Sequence, residues 1–206
     1  MIAIVDYGVG NLFSLKSSFE AINENVVVTS DTEIIKKADK IILPGVGAFS
    51  DSAKRLKETG LGTIIVEEAK NGKPILGICL GMQLLFKKSY EFGEYDGLGL
   101  LDGEIVPMEG AIPKELKIPH IGWNKLCFKK TSSKLFKYIN DGDFVYFVHS
   151  FYATRCDLSV CAVTDYGIPI TACVEAGNIF GCQFHPEKSG RTGLNILKAF
   201  CDLEVD

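Results

Sequence analysis

The middle of this 206-residue chain carries Lys73-Pro-Ile-Leu-Gly-Ile-Cys-Leu-Gly-Met-Gln83, an apolar run that changes into a helical pattern. The apolar run, bounded by Pro74, predicts a buried strand, and the leucines beyond it predict a helix. Cys79 therefore falls at a strand-to-helix turn, flanked by Gly77 and Gly81. This is the spacing of a nucleophile elbow, in which glycines let strand and helix approach each other around a sharply turned side chain.

The predicted turn favours a reactive Cys79. A side chain at the start of a helix feels the positive end of the helix dipole, which favours the thiolate, the reactive form of the thiol. The Leu80 backbone N–H, unpaired in the first helical turn, is placed to donate to an oxyanion beside the sulfur. The alternative is that Cys79 is one more small apolar residue in a buried turn, and this stretch alone leaves both interpretations open.

Length and composition favour a single domain over residues 1–206. Hydrophobic residues make up 47% of the chain, and no linker rich in glycine, proline, serine or charge divides it. The net charge is −4 and the lysine pairs are scattered among acidic residues, so nothing indicates nucleic-acid binding. The first residues lack a basic leader and no apolar run approaches membrane-spanning length, so we expect a cytoplasmic protein without a membrane segment.

The cysteine and histidine counts argue against a metal site. Seven cysteines, an odd number without a Cys-x-x-Cys pair, fit neither a disulfide framework nor a zinc site. A metal cluster would need nearly all of the three histidines. The glycine-rich turn at residues 6–12 is close to a dinucleotide-binding fingerprint, but Phe13 stands where that motif needs its third glycine. We therefore expect no metal and no cofactor.

Strands and helices alternate along the first part of the chain. Residues 2–5, 26–29 and 40–43 are short apolar runs that predict strands, and helical patterns separate them. From residue 103 onwards several extended segments follow one another without helices, until a closing helix at about residues 190–201. The sequence thus predicts an α/β fold: a mostly parallel central sheet with helices on both faces, plus added antiparallel strands.

The third predicted strand leads into a glycine-rich loop, Pro44-Gly-Val-Gly-Ala-Phe49. In open parallel sheets ligands bind at the carboxyl ends of strands, where both this loop and Cys79 are expected. Gly45 and Gly47 let the backbone bring N–H groups against a ligand, so the loop is a candidate for a second oxyanion donor. Taken alone, it is also explained as an ordinary loop before a helix.

The last predicted strand, residues 179–184, runs into His185-Pro186-Glu187. Proline forces the preceding residue into extended geometry, so we expect His185 and Glu187 to project to the same side. An imidazole oriented by a carboxylate is a suitable general base. With Cys79 these residues would complete a triad in which cysteine attacks, histidine carries the proton and glutamate holds the tautomer.

Together these motifs resemble the triad-type, or class I, glutamine amidotransferases, which have a flavodoxin-like fold. The resemblance rests on residues 44–47, 77–83 and 183–188, in the family's order over nearly the whole chain. The triad positions show no departure from the family pattern. Three further segments resemble one branch of the family, the glutaminase subunits of imidazole glycerol phosphate synthases from histidine biosynthesis; they are residues 6–12, 119–124 and 146–152.

The resemblance implies hydrolysis of glutamine to glutamate and ammonia through a thioester on Cys79. The ammonia would pass to a separate cyclase subunit, a (β/α)8 barrel, which joins it to a phosphorylated, ribose-bearing nucleotide intermediate. The products would be imidazole glycerol phosphate and an aminoimidazole carboxamide ribonucleotide. The implied assembly is a heterodimer of glutaminase and cyclase.

The resemblance also implies roles for residues outside the triad. Those implied in glutamine binding are Gly47, Gln83 and Glu91, with the backbone around His149, Ser150 and Phe151. Those implied in the oxyanion hole are Gly45, Val46 and Leu80. Those at or near the partner interface are Asn11, Trp123, Tyr146 and Lys188.

Two other functions stay open. The ammonia acceptor binds the partner, so an amidotransferase of the same chemistry with another acceptor, as in surface-sugar amidation or pyridoxal phosphate synthesis, stays an alternative, although the sequence motifs disfavour pyridoxal phosphate synthesis. A different class of function is a non-enzymatic module in which the Cys79 thiol senses oxidants. A sensor would not need His185 or Glu187, so glutaminase assays of variants at the three positions separate these functions.

Overall fold

The computed structural model describes residues 1–204. The first part of the chain alternates strands and helices in the order β1 (Ile2–Val5), α1 (Leu12–Ala21), β2 (Val26–Thr29), α2 (Thr32–Lys37), β3 (Lys40–Leu43), α3 (Phe49–Glu58), α4 (Leu61–Lys70) and β4 (Ile75–Ile78). The rest is richer in strands: α5 (Leu80–Leu84), β5 (Phe86–Ser89), β6 (Tyr95–Asp96), β7 (Leu101–Pro107), β8 (His120–Lys125), β9 (Cys127–Phe128), β10 (Phe144–His149), β11 (Phe151–Thr154), β12 (Val160–Asp165), β13 (Pro169–Ala176), β14 (Ile179–Cys182) and α6 (Gly190–Cys201).

The parallel strands are continuous apolar runs because helices cover both of their faces. All four residues of β1, β3 and β4 are buried. Within β1, Ile2 and Ile4 belong to the core under α1 and α6, whereas Ala3 and Val5 belong to the core under α2 to α5. The hydrophobic core therefore has two layers, one on each side of the sheet.

The central sheet has eight strands in the order β2-β1-β3-β4-β14-β13-β12-β9. The pairs from β2 to β14 are parallel, and β13, β12 and β9 add antiparallel pairs at one edge. A two-stranded sheet of β10 and β8 and a four-stranded sheet in the order β11-β7-β5-β6 accompany it. The predicted α/β fold with a parallel sheet and added antiparallel strands is confirmed.

Three neighbouring strands bring the predicted motifs to one edge of the sheet. Strand β4 lies between β3 and β14, with Leu43 paired to Gly77 and Cys182 paired to Ile78. The loop after β3, the turn after β4 and the segment after β14 therefore leave the sheet side by side. Ligands of open parallel sheets bind at this edge.

Several elements differ from the sequence prediction. Helix α4 and strands β5, β6 and β11 were not predicted from the sequence patterns. The predicted helix after Cys79 ends already at Leu84, because the fully buried Phe86 pairs with Leu101 and starts β5. Strand β14 ends at Cys182, before the predicted Phe184. In both places long-range pairing, which local periodicity does not report, sets the boundary.

Candidate active site

Cys79 stands at a sharp turn between β4 and α5. Its backbone has φ 54° and ψ −111°, a region that residues other than glycine rarely adopt. A Cβ on Gly81 would lie 1.8 Å from the Leu43 carbonyl oxygen, and one on Gly77 would lie 2.7 Å from the Met82 nitrogen. Both flanking positions therefore require glycine, and the sulfur is held at the carboxyl end of β4.

His185 and Glu187 form a buried pair beside this turn. Nδ1 of His185 lies 2.7 Å from Oε1 of Glu187, and the two side chains are 3% and 4% exposed. His185 is extended, but residues 186–188 form a 3-10 turn. The expected strand alternation is therefore wrong at Glu187: the turn, and not an extended backbone, brings the carboxylate to the imidazole.

The His185 imidazole also faces the sulfur of Cys79. Burial lowers the pKa of His185, but hydrogen bonds to the Cys79 sulfur and the Glu187 carboxylate, together with their charges, outweigh it and raise the pKa to about 9. Nε2 of Gln183 donates to the same sulfur at 3.8 Å. A cationic imidazole and an amide donor both stabilise a thiolate. Helix α5 has only five residues, so its dipole adds less than a long helix would.

Cys79 and His185 line a cavity of about 610 Å³ at this edge of the sheet. The lining contains every residue that the family resemblance implied in glutamine binding, namely Gly47, Gln83, Glu91, His149, Ser150 and Phe151. Three more predicted residues contribute to it: Val46, Leu80 and Lys188. Glu187 and Gly45 are not part of the lining, and neither are the expected interface residues Asn11, Trp123 and Tyr146.

Part of the cavity wall carries polar groups suited to an ammonium group. The Gln83 amide nitrogen donates to the Phe151 carbonyl at 3.2 Å and to Oε1 of Gln183 at 3.0 Å, which leaves the amide oxygen as an acceptor. Oε2 of the buried Glu91 accepts from the Phe49 backbone N–H at 2.8 Å. Burial raises the pKa of Glu91, although this hydrogen bond favours the ionised form.

The loop after β3 is anchored at its start and has room further along. The buried Tyr7 hydroxyl donates to the Pro44 carbonyl at 2.7 Å. A Cβ on Gly45 would lie 2.8 Å from both the Tyr7 hydroxyl and the Gly81 nitrogen. Gly47 has φ 94°, and an added Cβ would meet nothing within 4 Å. The loop therefore approaches the Cys79 turn closely, while its far end keeps free space.

The structure adds residues that the sequence motifs did not single out. Tyr7 and Gln183 lie inside stretches that resemble the family, but only the fold shows their contacts with Pro44 and Cys79. His120 lies in residues 119–124, another stretch that resembles the family, and its imidazole contacts that of His149. The cavity is further lined by Phe92, Pro107, Glu109, Ile118, Pro119 and Val148.

The sheet of β8 and β10 presents one apolar face to solvent. In its register Trp123 pairs with Tyr146 and Ile121 with Val148. Ile121, Trp123 and Phe144 are 59%, 56% and 54% exposed, and the rings of Trp123 and Tyr146 pack edge to face with centroids 6.1 Å apart. Contiguous exposed apolar patches are enriched at the interaction surfaces of proteins. These five residues are called the β8–β10 face below.

Residues 1–204 contain no helix that is long and apolar enough to cross a membrane. Within the same residues, no three His, Cys, Asp or Glu side chains are grouped to hold a metal ion. All seven cysteines are free thiols.

Comparison with known proteins agrees with this geometry. The family model described as glutamine amidotransferase class-I matches residues 3–203, so the chain belongs to the class I glutamine amidotransferases. The solved structure of PurLQS from Thermotoga maritima has the same fold, with a TM-score of 0.73 and 23% identity over 98% of this chain and 97% of that chain.

Closer relatives specify the branch. The chain is 49% identical to the imidazole glycerol phosphate synthase subunit HisH of Caldanaerobacter subterraneus subsp. tengcongensis, over 98% of both chains. It is 50% identical to the subunit of the same name from Lactococcus lactis subsp. lactis, again over 98% of both. Within its family the chain therefore belongs with the HisH subunits, and the resemblance predicted from the motifs is confirmed.

Proposed function

We propose that this chain hydrolyses glutamine to glutamate and ammonia and delivers the ammonia to the cyclase subunit of imidazole glycerol phosphate synthase in histidine biosynthesis. Its place among the HisH subunits supports the reaction and the pathway, and favours this acceptor over sugar amidation or pyridoxal phosphate synthesis. The observation that carries the residue assignment is the buried row of Cys79, His185 and Glu187 beside one cavity. A thiol that only senses oxidants would not need that row.

In the first step the Cys79 thiolate attacks the side-chain amide carbon of glutamine, forming a C–S bond and an oxyanion. The Leu80 N–H and the N–H of the Gly45–Val46 peptide stabilise the oxyanion. Protonated His185 gives its proton to the leaving nitrogen as the C–N bond breaks, which releases ammonia and leaves a thioester. Glu187 pairs with Nδ1 of the imidazole, so Nε2 faces the sulfur.

The second step restores the enzyme. Neutral His185 takes a proton from a water molecule while the water oxygen attacks the thioester carbon. The C–S bond breaks, the product leaves with a protonated side-chain carboxyl group that loses its proton to water to give glutamate, and Cys79 returns to a thiolate beside a protonated imidazole. Atoms and charges balance over both steps, because one water is consumed and one ammonia is released.

The main-chain groups of glutamine bind elsewhere in the cavity. The Gln83 amide oxygen and the Glu91 carboxylate accept from the substrate ammonium group, since both residues line the cavity and are acceptors. Backbone N–H groups of residues 149–151 bind the substrate carboxylate. Gly47, which has space around its Cα, lets the loop backbone approach the ligand.

The partner binds over the β8–β10 face. This face is apolar and exposed, and we assign to it a cyclase with a (β/α)8 barrel, forming a heterodimer in the cytoplasm that passes ammonia from site to site. Lys188 is exposed and lines the cavity, and Asn11 caps α1 by accepting from the Ser14 N–H at 3.3 Å. Asn11 follows Gly10, where an added Cβ would lie 3.5 Å from the Pro44 side chain, so we assign to a partner contact there an effect on the oxyanion loop.

The partner also switches catalysis on. Reorienting the Gly45–Val46 peptide adds or removes one oxyanion donor, worth roughly 3 to 4 kcal/mol or a factor of 10² to 10³ in rate. Free hydrolysis would waste glutamine, so we assign the productive orientation to the complex with an occupied acceptor site.

The test measures glutamate production by the chain alone, with the cyclase, and with the cyclase plus its nucleotide ligand. We expect the rate to rise at each addition, by about 10²-fold or more in total. Trp123→Ala should weaken cyclase binding, whereas Leu158→Ala, which removes a side chain that is 91% exposed on another loop, should not. Equal rates in all three conditions contradict the switch, and failure to bind the cyclase contradicts the proposed partner.

A further inference from the structure

A row of polar side chains runs from β8 to β10 beside the cavity, with His120 and His149 buried and Asn124 half-buried. Nδ2 of Asn124 lies 3.4 Å from Nε2 of His120, and Nδ1 of His120 lies 3.0 Å from Nε2 of His149. Nδ1 of His149 lies 2.9 Å from the carbonyl oxygen of Phe151. His120 and His149 are 3% and 6% exposed, so water does not replace these contacts. The proposed chemistry does not use either imidazole.

The Asn124 end of the row can only donate. Oδ1 of Asn124 accepts from the Lys125 backbone N–H at 2.8 Å, which fixes which side of the amide carries the nitrogen. The same Nδ2 donates to the Asp165 carbonyl at 2.8 Å. An N–H therefore faces Nε2 of His120, and that nitrogen must be the unprotonated one.

The Phe151 end can only accept, because a carbonyl oxygen has no hydrogen. His149 must then carry its hydrogen on Nδ1, and its Nε2 accepts from the Nδ1–H of His120. Both imidazoles are neutral in this arrangement, since a proton added to either would place two N–H groups face to face. Burial lowers the pKa of His149 to about 3 and that of His120 to about 4, which keeps them neutral.

Aromatic neighbours prevent the His120 ring from turning. Its ring stacks on Phe147 with centroids 4.8 Å apart and on Tyr166 with centroids 4.0 Å apart. With the ring plane held and both ends of the row fixed, one tautomer of each histidine satisfies every contact. The row therefore has a single direction, with every donor pointing towards Phe151.

The row continues into the glutamine site. The Phe151 carbonyl accepts both from His149 and from Nε2 of Gln83 at 3.2 Å. The second hydrogen of Gln83 goes to Oε1 of Gln183, whose own nitrogen donates to the Cys79 sulfur. If His149 carried its hydrogen on Nε2, a nitrogen lone pair would face the Phe151 carbonyl, and the hydrogen bond that helps to hold this carbonyl beside Gln83 would be lost.

We infer that His120 is a positioning residue for glutamine binding, because through His149 it fixes the Phe151 carbonyl and hence the direction in which Gln83 presents its amide oxygen. The inference rests on the proposed function, since it assigns a cause to the shape of the glutamine site. His120 itself touches neither the substrate nor the reacting atoms. Its substitution should therefore weaken glutamine binding more than it slows the chemical step.

The kinetic test compares three variants in the presence of the cyclase and its nucleotide ligand. His120→Phe keeps the aromatic stack and removes the donor, so we expect KM for glutamine to rise about tenfold with little change in kcat. His120→Asn places an amide N–H near the position of Nδ1 and should restore most of the wild-type KM. Tyr166→Phe, which loses only the hydroxyl bond to Lys117, is the matched control and should behave as wild type.

A spectroscopic test needs no variant. Long-range ¹H–¹⁵N spectra of the ¹⁵N-histidine-labelled protein should show His120 and His149 as neutral Nδ1–H tautomers and a protonated His185. A His149 in the Nε2–H form overturns the inference, as does a His120→Phe variant with wild-type KM or with a loss confined to kcat. A wild-type protein without glutaminase activity in the same assay contradicts the proposed function instead, so the two failures are distinguishable.

Discussion

The turn at residues 77–81 and the loop at residues 44–47 each contain two glycines, but these glycines meet different constraints. In the turn the limit is space, because a Cβ on Gly81 would lie 1.8 Å from the Leu43 carbonyl oxygen. At Gly47 in the loop the limit is backbone conformation, because φ is 94° while the surroundings of an added Cβ are empty. The turn is closely packed at both of its glycines, whereas the loop is closely packed at Gly45 and has free space at Gly47.

The Cys79 side chain in the turn is therefore fixed, whereas the backbone of the loop is able to reorient. The proposed nucleophile in the turn is held by packing. Cys79 itself has a backbone conformation that persists only where the surrounding structure enforces it. The loop is held mainly at its start, where the Tyr7 hydroxyl donates a hydrogen bond to the Pro44 carbonyl. The sulfur is therefore positioned by folding alone, whereas the oxyanion donor that we propose in the loop is the group assigned to control by the partner.

The strongest test of the fixed nucleophile is its removal. Cys79→Ala should lower glutamine turnover roughly 10³-fold or more, because the covalent step is lost. Synthesis by the complex from added ammonium should survive, since that route bypasses the sulfur. Cys127→Ala, a half-buried cysteine on β9, is the control and should retain activity. Collapse of ammonium-dependent synthesis in Cys79→Ala would mean that the residue is structural.

The next largest effect is expected at His185 and Glu187, the two residues assigned to act with the Cys79 sulfur. His185→Ala should cost more than Glu187→Gln, by roughly 10- to 100-fold, because an orienting carboxylate usually contributes less than the base it orients. Glu187 helps to raise the pKa of His185 to about 9, so Glu187→Gln should move that pKa down towards the ordinary value of about 6.5. The imidazole would then lose its proton, and the enzyme its activity, at lower pH than in the wild type. Matched pH–rate profiles measure this, and an equal or larger loss in Glu187→Gln contradicts the roles.

The two kinds of glycine are compared directly by alanine substitution. Gly81→Ala should lower the free energy of unfolding by about 3 kcal/mol or more, because the methyl group has no space. Gly47→Ala should cost about 1 to 2 kcal/mol, because only the backbone conformation is unfavourable. Urea unfolding of both variants gives the two values. Equal losses would remove the distinction between the turn and the loop.

The smallest effect is expected at the anchor of the loop. Burial raises the pKa of Tyr7, so its hydroxyl stays a donor to Pro44, and Tyr7→Phe should cost about 1 kcal/mol of stability. A loop released at its start should sample more orientations, so the ratio of cyclase-activated to basal glutaminase rate should fall a few-fold. Tyr138→Phe, which loses a hydroxyl bond to Asp202 far from the loop, is the control. An unchanged ratio in Tyr7→Phe would show that the anchor does not limit the loop.

Most of the fold follows from local patterns. The strands of the parallel sheet are short apolar runs, and the helices have recognisable periodicity. The predicted bounds of β1 to β4 and of α6 therefore agree with the structure to within a residue or two. The elements that were missed are short or depend on distant partners, such as β5, which pairs with β6 and β7. The sequence patterns do not predict the end of α5 for the same reason, since strand pairing at Phe86 sets it and helix propensity does not.

The sequence by itself determined where the reactive groups belong along the chain, because glycine spacing, a proline after a histidine and alternating elements are local and carry their own geometry. Only the tertiary structure decided how these groups act on one another. The pKa of His185 is raised because Cys79, more than a hundred positions away, lies against it together with Glu187, and their contacts outweigh the effect of burial. The tautomers of His120 and His149 follow from contacts between separate strands. Such properties depend on burial and on distances between remote residues, which no local pattern encodes.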